Sequence, residues 1–90
     1  MAENELLSNI GSLHTTSMGA ERIRKNLGIE GDAVEYCRGK ILSPQARITR
    51  RGKNWYVAAE GCVITVNASS YTIITAHRSP LKATQIMKII

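Results

Sequence analysis

The spacing of apolar positions changes once along this chain, near residue 45. Before that point they recur mostly at three or four residues: Leu6, Ile10 and Leu13, then Ile23 and Leu27 with Met18 five residues ahead, then Val34, Cys37 and Ile41. That period predicts helices with one buried stripe. Beyond it, from Asn54 to His77, three runs rich in Val, Ile, Thr, Tyr and Trp are separated by Glu60-Gly61 and by Asn67-Ala68-Ser69-Ser70. β-formers broken by turn formers at this interval predict three consecutive antiparallel strands.

Local signals place the boundaries. Asn4 is positioned to cap a helix over about residues 5–13 that Gly11 weakens. Thr16 or Ser17 caps a second helix, which Gly28 stops. Asp32 followed by Glu35 has the form of a capping box opening a third helix, and Gly39 with Ser43-Pro44 ends it. Ala46–Arg50 supplies a first strand, and Arg51-Gly52-Lys53 turns it into Asn54. The expectation is a single domain over residues 1–90 of class α+β: N-terminal helices, about 4–42, pack on one face of an antiparallel sheet of about four strands, about 46–78. The segment after Pro80, LKATQIMKII, is expected as a short C-terminal helix, an added strand or a tail, whose apolar residues offer a homodimer contact.

Alternation along the strands assigns their faces. Val63, Thr65 and Asn67 share one side of their strand, and Cys62, Ile64 and Val66 the other. In the last strand the same rule groups Tyr71, Ile73, Thr75 and His77 against Thr72, Ile74 and Ala76. With helices covering Ile64, Val66, Ile74 and Ala76, the polar groups Thr65, Asn67, Tyr71, Thr75 and His77 form a row on the uncovered side. Of Trp55 and Tyr56, one must face that side too. Thr and Tyr are also ordinary strand residues, so a solvated sheet face explains the row equally well.

Charge adds a partner class. Twelve Lys and Arg against seven Asp and Glu give a formal charge of +5, a tilt toward polyanions such as RNA or DNA. Six basic residues, Arg38, Lys40, Arg47, Arg50, Arg51 and Lys53, fall between residues 38 and 53 without an intervening acid, which predicts a basic patch beside the sheet. Arg22 and Lys25 add charge on the second helix. Cys37 and Cys62 belong to no ligand spacing and are expected as small core residues. No apolar run reaches membrane-spanning length and the N-terminus lacks a basic leader pattern, so a cytoplasmic protein with no membrane association is expected.

Several chemistries are excluded by what is missing. The acids never pair at ligand spacing, and His14 and His77 have no nearby Asp, Glu or Cys, so no metal and no cofactor is expected. There is no phosphate-binding glycine loop, nucleophile elbow or dinucleotide fingerprint. Metal-free phosphoryl transfer on RNA remains. Attack of a ribose 2′-hydroxyl on its own phosphate needs a base, an acid for the departing 5′-oxygen, and donors around the charged centre. Histidine suits the proton steps, and Arg or Lys the charge. The candidate catalytic residues are His14, Thr16 and His77. The candidate binding residues are Arg22, Lys25, Arg50, Lys53, Tyr56, Thr65, Asn67, Tyr71 and Thr75.

The segments LHTTSMGAERIRKNL, GKNWYV and ITVNASSYTIITAH resemble a small bacterial family of unknown function, over about Leu6 to His77. More loosely, an early histidine, an Arg-rich second helix and the late strand Ile73-Ile74-Thr75-Ala76-His77 are similar to the barnase, EndoU, colicin and RelE superfamily of RNases and toxins. That likeness implies cleavage of RNA on the sheet face opposite the helices, with His14 matching the early histidine and Thr75 or His77 the late-strand group. The chain departs from the carboxylate-using members in having no acid in the candidate row. The function expected is a metal-independent RNA-cleaving or toxin-like protein. The alternative is a non-catalytic binder: a nucleic-acid or nucleotide module, or a small phage or mobile-element inhibitor of a partner protein.

Overall fold

The structure, a computed structural model, describes residues 2–78. Three helices, α1 (Ala2–Ser8), α2 (Ser17–Leu27) and α3 (Ala33–Ile41), precede four strands, β1 (Arg47–Arg51), β2 (Asn54–Ala59), β3 (Cys62–Asn67) and β4 (Ile73–Arg78). The strands form one antiparallel sheet in sequence order, and the α+β expectation holds. The helices line one face, α1 against β1, α3 against β2 and α2 against β4.

The helix starts follow from capping chemistry. Thr16 Oγ1 accepts the Gly19 N–H at 2.9 Å, and an Asp32 carboxylate oxygen accepts the Glu35 N–H at 3.1 Å. Each satisfies one of the amides a helix N-terminus leaves without a partner. Glu35 turns its own carboxylate to Arg38. Gly28 ends α2 in the left-handed conformation, φ +66°. The first helix departs from expectation at both ends: α1 begins at Ala2, so Asn4 lies within it, and it stops at Ser8. A short 3-10 turn, Ile10–Ser12, then leads into extended backbone at Leu13. Gly11 and the tighter turn let the chain leave the helix early.

The covered face is the core. Trp55, Val57, Ile64, Val66, Ile73 and Ala76 from the sheet meet Leu6, Ile23, Leu27, Cys37 and Ile41 from the helices, and all are buried. Both cysteines are free and buried, as expected. Burial, with Cys62 nearby, pushes the Cys37 thiol up to about 12, so it stays protonated and unreactive at neutral pH.

Simple alternation fails in β4. Val66 pairs with Ile73 whereas Thr65 pairs with Thr75, leaving Ile74 as an extra residue. This bulge puts Ile73 and Ala76 on the same covered face, although one is odd and the other even in number. Ile73 is buried and Ile74 is 47% exposed, the reverse of the expected assignment. The turn before the strand also departs from expectation. Tyr71 adopts φ +61° and lays its ring on Trp55, centroids 5.3 Å apart, so it braces the core and does not join the open row. The segment 80–90, with the expected C-terminal element and homodimer contact, lies outside the described residues.

Polar side chains and backbone tie the outer edge of β4 to the helical half. Thr15 Oγ1 donates to the Ile73 carbonyl and Asn26 Nδ2 to the Ala76 carbonyl. The Arg78 guanidinium donates to the Leu27 carbonyl at 2.6 Å, and His14 forms a parallel bridge to Thr72. The Thr15 and Asn26 contacts occupy carbonyls that an edge strand would otherwise leave open, and Arg78 satisfies a carbonyl at the C-terminus of α2. A side chain at Gly19 has no room beside this seam, because a Cβ there would lie 2.3 Å from Thr15 Oγ1. Gly19→Ala is therefore expected to cost about 1–3 kcal/mol in urea denaturation. Combined with Thr15→Ala, which removes the obstructing hydroxyl, the loss should be smaller than the two single losses added together.

Candidate functional site

The open sheet face is assembled by register. One row crosses all four strands, Thr49 paired with Tyr56, Tyr56 with Thr65 and Thr65 with Thr75. A second row runs Arg47, Ala58, Val63 and His77. A third runs Arg51, Asn54 and Asn67. The expected face assignment of Thr65, Asn67, Thr75 and His77 thus holds, Tyr56 is the one of Trp55 and Tyr56 that faces this side, and Arg47, Thr49, Arg51 and Asn54 join them. No Asp or Glu occupies a strand position on this face. Thr65 at its centre is 7% exposed, while Arg47, Thr49, Arg51, Tyr56 and His77 are exposed around it.

The basic stretch divides once folded. Arg38 is drawn to the Ile10 and Leu13 carbonyls and to Glu35, a structural brace at the 3-10 turn. Lys40 donates to Glu60 at 2.7 Å, and this contact holds the Glu60 carboxyl below its usual range and raises the ammonium. Arg50 lies on the helix side of β1, its guanidinium 5.4 Å from the Trp55 ring centroid and 3.9 Å from Glu5. Arg47 and Arg51 take the open face, and Lys53 is exposed in the β1–β2 turn. Arg22 and Lys25 are exposed on α2 beside Met18 and Glu21. Alternation within β1 is the signal that would have singled out Arg47 and Arg51 over Arg50.

The two histidines sit at opposite ends of β4. His14 bridges to Thr72, whereas His77 pairs with Val63 five residues further along. At about 3.3 Å per residue the separation is roughly 15 Å, too far for both to act on one phosphate. Thr16 is occupied as a helix cap. His77 Nδ1 lies 3.1 Å from the Arg78 carbonyl. A carbonyl only accepts, so this nitrogen carries the hydrogen and Nε2 keeps its lone pair in the neutral ring.

His14 heads a chain of hydroxyls. Its Nδ1 faces the Ser12 carbonyl at 2.8 Å, its Nε2 is 3.1 Å from Thr72 Oγ1, and Thr72 is 2.7 Å from Ser70 Oγ. Ser70 also reaches Asn67 Oδ1 at 3.2 Å, an oxygen that already accepts the Ser69 and Ser70 amides. Nδ1 must donate to the carbonyl, so Nε2 of a neutral His14 accepts a hydrogen bond from the Thr72 hydroxyl, and Thr72 Oγ1 can then only accept from Ser70, whose one hydrogen is shared with Asn67 Oδ1. A base oriented by a carbonyl and bonded to a hydroxyl is the arrangement that activates oxygen nucleophiles. Asn67 is consumed in making the turn. Sequence reading placed it in the row but missed Ser70 and Thr72, because their link to His14 spans almost sixty residues.

Among the described residues no cluster of three His, Cys, Asp or Glu side chains could hold a metal ion, and no helix is long and apolar enough to cross a membrane. The family described as Protein of unknown function (DUF3781) matches residues 7–77, and the chain belongs to that family. No curated protein and no solved structure matches it.

The hydroxyl chain fastens the 67–72 turn to the segment before α2. Thr72→Val keeps the shape and removes the hydroxyl, and should lower unfolding free energy by about 1 kcal/mol. In a His14→Ala background the same substitution should cost measurably less, because the two groups share a bond. Equal costs in both backgrounds in urea titrations would show that the link carries no energy.

Proposed function

We propose that this member of a family of unknown function acts on RNA through the uncovered face of its sheet, with metal-independent cleavage by 2′-hydroxyl attack as the reaction. The observation that carries the reading is the make-up of that face. Its exposed groups are two guanidiniums, hydroxyls, an imidazole and one aromatic ring, and its strand positions include no carboxylate. Such a surface attracts phosphates at long range and offers donors to their oxygens at contact. Helices on one sheet face with polar chemistry on the other also supports placing the chain beside the barnase, EndoU, colicin and RelE proteins.

In this reading His77 Nε2, free to accept a proton, is the general base that takes the 2′-hydroxyl hydrogen as the 2′-oxygen bonds to phosphorus, and the 5′-oxygen leaves with a proton from water. Arg47 on the same cross-strand row supplies positive charge, and Thr75 a hydroxyl donor. His14 and its hydroxyl chain stand at the far end, beside the Arg51, Asn54 and Asn67 row, and hold the turn that shapes it. The second reading, a non-catalytic binder of nucleic acid or of a partner protein, is favoured by one observation: the distance between the imidazoles denies the site a paired base and acid.

Incubation with total RNA and tRNA in EDTA separates these. The proposal expects loss of intact RNA, fragments ending in cyclic phosphate, and at least a hundred-fold slower cleavage for His77→Ala, the low end of what general acid–base groups contribute. Intact RNA that is nonetheless bound, with affinity falling steeply in salt and the slope dropping by about 1 for Arg47→Ala, would establish the binder. Neither cleavage nor binding would remove RNA from the account.

A further inference from the structure

The open face is not uniformly flat. Thr49, Arg51 and Tyr56 line a depression of about 330 Å³ at its β1 side. Thr49 and Tyr56 are cross-strand partners, and Arg51 follows two residues along the same side of β1. Tyr56 is 37% exposed, and its hydroxyl accepts from Asn54 Nδ2 at 3.4 Å. The exposed phenol is therefore oriented by a neighbour on its own strand while part of the ring remains open to solvent.

We infer that this depression is a subsite for one unpaired nucleotide of single-stranded RNA. The base stacks on Tyr56, the adjoining phosphate meets the Arg51 guanidinium, and the Thr49 hydroxyl faces the sugar or base edge. The inference rests on the reading of the face as an RNA site and narrows it to a substrate class. Three features support it. A volume near the lower end of the roughly 300–1,000 Å³ range of ligand pockets fits one nucleotide. An aromatic ring standing on a sheet gains nothing from a duplex, whose bases are stacked on each other, whereas a splayed base presents a full face to it. Arginine beside the ring offers a bidentate fork to the phosphate of that same nucleotide. Two other hollows fit less well: one of about 490 Å³ beside α3 is lined by the Lys40–Glu60 ion pair, and the one beside Arg22 and Lys25 includes Glu21 and no aromatic group.

Fluorescence anisotropy with the full chain tests this, using a labelled 2′-O-methyl oligouridylate, which lacks the attacking hydroxyl, and the same strand annealed to 2′-O-methyl oligoadenylate, in EDTA at fixed salt. The single strand should bind at least ten-fold more tightly than the duplex. Tyr56→Ala and Tyr56→Leu should weaken single-strand binding about five- to hundred-fold, the effect of losing one base–aromatic stack. Tyr56→Phe, which keeps the ring, should stay within about two-fold of the parent. If the duplex binds as well as the single strand, or both ring-removing variants bind normally while Arg51→Ala binds weakly, the face holds RNA through phosphates alone and the stacking subsite is wrong. If neither RNA form binds the parent protein, the RNA reading itself fails and the subsite with it.

Discussion

Burial of a single sheet face is the constraint on which the rest of the molecule depends. Ninety residues supply one modest core, and it is spent on the contact between Trp55, Val57, Ile64, Val66, Ile73 and Ala76 and the inner sides of the helices. Apolar burial contributes roughly 25 cal/mol per Å², so the large side chains dominate it, and Trp55, with no exposed surface, is the largest of them. Nothing comparable is left for the second face. Its side chains are chosen by other demands, and the absence of acid there is informative because solvation alone is indifferent to the sign of charge.

The bulge in β4 shows how this constraint overrides local pattern. Strict alternation would send either Ile73 or Ala76 to the open side. One extra residue keeps both on the core and leaves Ile74 as the exposed apolar group. The same adjustment preserves the pairing of Thr65 with Thr75, so the polar row stays continuous from β1 to β4. Tyr71 follows from a related demand, accepting a positive φ to close the turn over Trp55.

The fold class, the caps at Thr16 and Asp32, the stop at Gly28 and the faces of β2 and β3 were legible in the residues because each rests on chemistry within a few positions. The bulge was not, since it is dictated by what α2 presents to β4. The fate of the basic residues was hidden for the same reason. Arg38, Lys40 and Arg50 find partners on other elements, which no local pattern shows, whereas alternation along β1 is enough to group Arg47 with Arg51. His14 stands out in the residues, but its hydrogen-bonded companions Thr72 and Ser70 do not, and its distance from His77 lay beyond any sequence argument.

The central claim is that the uncovered sheet face, and not the helical side, is where this protein meets its partner. Amide chemical-shift mapping during titration with a short single-stranded 2′-O-methyl RNA, which cannot be cut by 2′-hydroxyl attack, tests it most directly. The account predicts that shifts concentrate at residues 47–51, 54–58, 63–67 and 75–77 while α2 and α3 stay quiet. Shifts centred on the helices, or none at concentrations where basic proteins commonly bind RNA, would contradict it.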